Sequence, residues 1–193
     1  IVYHCSATKP SMNWGAADID TVHKARGWKG IGYHLVIRRD GSVELGEPLA
    51  NRGAHAYGYN NDAIGVVLIG GISETGASEC NFNDEQFEAM DKIDVFLKLL
   101  FPKAESVGHR DLSPDINGDG EITKNEWMKD CPCFDVKAFL TTGEVIGMAD
   151  REQPIEVPVE PAEPETTLIS EDTSSDTGTN PSSMFGFGSI KID

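Results

Sequence analysis

The apolar positions of this chain fall into short blocks, each with its own period. Residues 1–4, IVYH, form an apolar run that predicts a strand, and ADIDTVHKAR (17–26) carries helical spacing that ends at Gly27. GYHLVIRRDGSVELG (32–46) contains two period-two segments around Asp40-Gly41, the signature of a hairpin. AIGVVLIGG (63–71) is apolar throughout, as a central strand buried on both faces requires.

The clearest helix begins after Asn83. Asn83 suits the N-cap, Gln86 the third helical position, and Phe82 and Phe87 a hydrophobic staple across the cap. Phe87, Met90, Ile93, Leu97 and Leu100 then form one apolar stripe that stops before Pro102, and the stripe reads as core. A short strand at ESVGH (105–109) and a last helix near 134–141 complete the pattern. The expected fold class is α/β: a central mixed β-sheet flanked by helices.

Composition divides the chain. Residues 150–193 hold 10 acidic and 2 basic residues and repeat Pro, Glu and Val in PIEVPVEPAEPETT. That segment has too little apolar content to offset the entropy of ordering it, so it reads as a disordered acidic tail behind a domain at 1–149. The closing SSMFGFGSIKID regains some apolar residues, and a frayed end is the simpler reading of it. The whole chain of 193 residues carries a net charge of −16, which repels phosphate and speaks against nucleic acid as a partner. No apolar run approaches the ~20 residues of a membrane helix, and no signal peptide is seen. Ile1 enters the first strand directly, so the start reads as trimmed, which leaves a removed leader open. Four cysteines suit thiols or a metal ligand better than a disulfide scaffold.

Chemistry-bearing residues are few. His4 ends the first strand, His109 follows ESVG, and Cys131 lies in DCPCFD. Two imidazoles and a thiolate would leave the fourth position of a zinc ion open for water, as a catalytic site requires. Five segments set these residues in context: HCSAT (4–8), GWKGIGYHLVIRRDGSVELG (27–46), GAHAYGYNNDAIGVVLIGG (53–71), GHRDLSP (108–114) and CPCFD (131–135). In order, they closely resemble bacteriophage lysozyme-type N-acetylmuramoyl-L-alanine amidases, of the type 2 amidase and peptidoglycan recognition protein superfamily.

The resemblance implies that His4, His109 and Cys131 are zinc ligands, that Tyr33 and Lys129 work beside the metal in catalysis, and that His55 lies in the substrate cleft. His23 and His34 read as packing residues, Cys5 and Cys80 as inert thiols, and Cys133 as a helix-start residue. The chemistry suits amide hydrolysis. Zinc lowers the pKa of a bound water from 15.7 toward ~7. The oxygen of the attacked carbonyl gains charge that the metal, the Tyr33 hydroxyl and the Lys129 ammonium can stabilise, one such donor being worth ~3–4 kcal/mol. Tyr33, Lys129 or His55 can protonate the leaving amine. No carboxylate in the matched segments is an obvious general base, and that role is unassigned.

One insertion departs from the family. Where the amidases bring the proline of the second histidine motif close to Lys-x-Cys, this chain places DINGDGEITKNEWM between Pro114 and Lys129. Asp115, Asn117, Asp119, Gly120 and Glu126 fit the EF-hand calcium loop over 115–126, with Glu121 at its backbone-carbonyl position. Pro114 leaves no room for a helix before the loop, so an isolated structural calcium site is expected, ordering the segment that carries Lys129 and Cys131. The insertion also makes Lys124 a rival to Lys129.

The resemblance thus implies a zinc-dependent amidase that cuts the bond between the lactyl group of N-acetylmuramic acid and L-alanine in peptidoglycan. Such a phage endolysin would gather in the host cytoplasm before lysis and act on the bacterial cell wall. Its partner would be peptidoglycan, with no nucleic acid and no membrane, permeabilisation of the inner membrane would fall to a separate protein, and nothing demands more than a monomer. The rivals are a non-catalytic peptidoglycan recognition module, which loss of the thiolate ligand would favour, and a calcium-dependent interaction protein.

Overall fold

The computed structural model describes residues 1–146, so the segment expected to form an acidic tail at 150–193 lies outside the described residues. Five strands, β1 (Val2–Cys5), β2 (Leu35–Ile37), β3 (Val43–Leu45), β4 (Gly65–Leu68) and β5 (Val107–Gly108), form one sheet in the order β3-β2-β4-β1-β5. β1 runs parallel to β4 and β5, β2 runs parallel to β4, and β2 pairs with β3 as the antiparallel hairpin. The expected mixed sheet and its central strand are both present. β4 is buried along its whole length because helices cover both faces of the sheet.

Alternation along the strands sorts the core into two layers. Tyr3, Leu35, Ile37, Val66 and Leu68 pack with α2 (Asp84–Leu100) and α3 (Val136–Thr142) on one face. Val36, Val67 and Ile69 pack with Ile19 of α1 (Ala16–Ala25) on the other. His4 is paired with Val67 and shares its parity, so its ring points into the α1 layer. The apolar sheet therefore places one imidazole inside the protein.

The start of α2 is the capping box expected from the sequence. The Asn83 side chain accepts from the Gln86 backbone N–H at 3.0 Å, and the Phe82 and Phe87 rings meet edge-on with centroids 6.1 Å apart. Phe87, Met90, Ile93 and Leu97 are buried, whereas Leu100 is 50% exposed and corrects the expected stripe. Leu100 is the last residue of α2, in an exposed stretch that runs from 98 to 103.

The ESVGH strand is shorter than expected. Only Val107–Gly108 pair with β1, and His109 opens a 3₁₀ turn, His109–Leu112, that carries it off the sheet end. Cys133 is not a helix-start residue: Asp135 caps α3, and Cys133 sits before it at φ +78°, in the left-handed region.

Candidate metal centre

The C-terminal ends of parallel strands β1 and β5 bring the two expected histidines together. The His4 and His109 ring centroids are 4.5 Å apart. Cys131 reaches the same point from the segment before α3, and its Sγ lies 3.8 Å from His4 Nδ1. The donor atoms of His4, His109 and Cys131 all lie within 4.8 Å of one another, and among the described residues they are the gathered group of metal-binding type. Zinc bonds of ~2.0–2.1 Å to nitrogen and ~2.3 Å to sulfur place tetrahedral donors ~3.3–3.6 Å apart, so an ion held here would draw the trio closer together.

The surroundings favour ligation. His4 is completely buried, and burial, then His109, His55 and Lys129, push its pKa well below the usual histidine value. A neutral imidazole is the form that binds metal. The Cys5 backbone N–H donates to Cys131 Sγ at 3.2 Å, which helps to fix the position of the sulfur. Cys5 is not isolated either, since its Sγ lies 3.8 Å from Cys133 Sγ. Hydrogen bonding to Cys131 is the first cause that raises the Cys5 pKa, and hydrogen bonding to Cys5 the first that raises that of Cys133.

Tyr33 stands beside the trio, its ring centroid 5.1 Å from that of His4. Lys129 is half-buried and near enough for its charge to disfavour protonation of His4, whereas Lys124 lies exposed in the 3₁₀ turn Lys124–Glu126. His55 was expected in the substrate cleft; the structure sets it behind His4, at 4% exposure, with its Nδ1 3.1 Å from His4 Nε2. His23 and His34 take the packing roles expected of them. His23 Nδ1 accepts from the Gly32 N–H, and His34 Nδ1 accepts from the Gly65 N–H.

In the 115–126 loop, side-chain oxygens serve the local backbone. Asp115 accepts from the N–H groups of Gly118 and Gly120, Asn117 from Asp119, and Asp119 from Glu121. Buried Glu126 accepts from Ile116, Asn117 and Thr123. These residues are not among those gathered at metal-binding distance.

A clamp missed at the sequence level joins the two segments that deliver His109 and Cys131. The Arg110 N–H donates to the Cys131 carbonyl at 2.8 Å. Its buried guanidinium lies 3.9 Å from Asp130, 3.7 Å from Asp135 and 4.1 Å from the centre of the Trp127 ring. GHRD contained the signal, because an Arg directly after a ligand and the Asp130 directly before one invite pairing.

Comparison with known proteins agrees with this geometry. A family profile described as N-acetylmuramoyl-L-alanine amidase matches residues 1–133. The endolysin of Enterobacteria phage K11 is 39% identical over 143 residues, covering 74% of this chain and 85% of that protein. The endolysin of Klebsiella phage KP32 is 38% identical over 146 residues, covering 76% and 87%. Among solved structures, the endolysin amidase LysCS from Clostridium intestinale superimposes with a TM-score of 0.52 at 28% identity, over 68% of this chain and 72% of that one. By sequence and by fold, this chain belongs to the N-acetylmuramoyl-L-alanine amidase family.

Proposed function

We propose that this chain is a zinc-dependent endolysin that hydrolyses the lactyl–L-alanine amide of peptidoglycan. The observation that carries the reading is the convergence of the donor atoms of His4, His109 and Cys131 to within 4.8 Å of one another inside a domain of the amidase family. Zinc bound there supplies an acidified water and polarises the amide carbonyl. Three protein ligands leave the coordination that this chemistry needs.

The remaining roles belong to the chain's own residues. The Tyr33 hydroxyl and the Lys129 ammonium stabilise charge on the carbonyl oxygen, and either can return a proton to the leaving amine. Half-buried Lys129, whose charge reaches His4, is favoured over exposed Lys124. Presence of the thiolate ligand favours catalysis over recognition alone. We read 1–149 as the catalytic domain and 150–193 as a separate acidic segment. The relatives named endolysin support action on the cell wall, and accumulation in the host cytoplasm before lysis is part of the reading we propose. No helix among the described residues is long and apolar enough to cross a membrane.

The finer proposal of a structural calcium ion rests on the spacing of Asp115, Asn117, Asp119, Glu121 and Glu126. Calcium should raise the melting temperature of the unaltered chain and leave Glu126→Gln unmoved; an equal response in both would remove calcium from the account.

Mass spectrometry of digested peptidoglycan tests the main reading. New L-alanine amino termini, abolished by Cys131→Ser, are expected. Intact peptidoglycan that retains the protein would point to recognition without hydrolysis.

A further inference from the structure

We propose that His55 is a positioning residue for the metal site: it fixes the tautomer and ring orientation of His4 so that His4 presents Nδ1 as the ligand atom. The inference rests on the zinc reading of His4, His109 and Cys131. It follows from counting donors and acceptors along one line of hydrogen bonds. His55 Nε2 lies 3.4 Å from the Ala63 carbonyl oxygen, which can only accept, so Nε2 carries the hydrogen. In a neutral ring that leaves the lone pair on Nδ1. His55 Nδ1 is 3.1 Å from His4 Nε2, so the His4 hydrogen must sit on Nε2. The lone pair of His4 then falls on Nδ1, the nitrogen that faces Cys131 Sγ.

Both rings must be neutral for the line to hold, and the surroundings favour this. His4 is wholly buried, and the rings of His55, His109 and Tyr33 lie within 5.1 Å of its own, centroid to centroid. An added proton on His4 would be a buried charge, and the charge of Lys129 would add to its cost. His34 offers a contrast, because both of its ring nitrogens are taken by backbone, at Gly65 N–H and the Asn51 carbonyl. His55 spends one nitrogen on backbone and the other on the metal ligand.

The protein also holds His55 in place from behind. Asn60, itself buried, accepts from the backbone N–H groups of His55 and Ala56, both at 2.8 Å. Gly53 and Gly65 leave the space that the ring fills: a Cβ on either would come within 2.6 Å of His55 carbon atoms. A ligand histidine held through its second nitrogen keeps its orientation and gains basicity. In this chain a second imidazole, backed by a carbonyl, does that work.

The first test is long-range proton–nitrogen correlation on zinc-free protein labelled with ¹⁵N-histidine. The expected pattern is neutral His4 and His55, each with its hydrogen on Nε2. A His4 that carries its hydrogen on Nδ1 would overturn the proposal. The second test measures zinc affinity by competition with a chelator for His55→Leu and His55→Asn. The Leu variant should bind ~10–100-fold more weakly, and the Asn variant, whose side-chain oxygen can accept from the same N–H, should recover most of the loss. Unchanged affinity in His55→Leu would also overturn the proposal. Failure of the unaltered chain to bind zinc would overturn the metal reading instead, and the His4 tautomer in zinc-free protein decides the hydrogen-bond line by itself.

Discussion

Gly65→Ala should uncouple the metal ligand from its support without touching either histidine chemically. Gly65 lies in β4 and does not have a positive φ, so alanine is compatible with the backbone. Its Cβ would lie 2.5 Å from His55 Cδ2 and Cγ and 2.8 Å from Nδ1, so the ring must retreat by ~1 Å to reach ordinary contact. That displacement is expected to disturb the 3.1 Å contact between His55 Nδ1 and His4 Nε2. Overpacking costs ~1–3 kcal/mol and the lost hydrogen bond ~1 kcal/mol. For a domain of this size the melting temperature should fall on the order of 10 °C. Differential scanning calorimetry on zinc-free protein reads the stability change, and chelator competition reads a parallel loss of zinc affinity. In a His55→Ala background the overlap disappears, so Gly65→Ala should cost much less there. A melting temperature and zinc affinity equal to those of the unaltered chain would refute the packing argument.

Three further outcomes are expected. Burial first, followed by His34 for His55 and Arg26 for His23, lowers these pKa values to about 3 and about 4. The unfolded chain therefore binds protons that the folded one refuses below pH ~6.5, and zinc-free stability should be full above that pH and fall on acidification toward 4; urea midpoints that stay level from pH 7 to 5 would contradict it. Arg110→Met leaves buried Asp130 without its cation and should cost ~3 kcal/mol in denaturant melts, with a weaker zinc site; an unchanged midpoint would show that the clamp is idle. Leu97→Ala should lose ~2–5 kcal/mol and exposed Leu100→Ser no more than ~0.5 kcal/mol, so equal losses would mean that the end of α2 is covered in solution.

Much of the fold was legible because local rules decided it. The Asn83 cap, the Asp40-Gly41 hairpin and the apolar run of β4 each carry their signal within a few residues. The zinc trio was legible by resemblance, since its members lie 127 residues apart at the extreme and no periodicity joins them. What was not legible depended on register and distance. His55 stood in a segment that resembled a substrate cleft, and only the pairing of β1 with β4 puts Gly65 and His4 where His55 bridges them. Leu100 fitted the helical stripe, but periodicity does not show that the last turn of α2 lies uncovered. The Cys5–Cys133 contact is a tertiary pairing between segments 128 residues apart in the chain.

Zinc K-edge X-ray absorption on the purified, zinc-loaded chain tests the central claim most directly. The account predicts one sulfur at ~2.3 Å with imidazole nitrogens at ~2.0–2.1 Å, and loss of the sulfur scatterer in Cys131→Ser. A first shell of nitrogen and oxygen alone in the unaltered chain would contradict the assignment of His4, His109 and Cys131 as the metal centre.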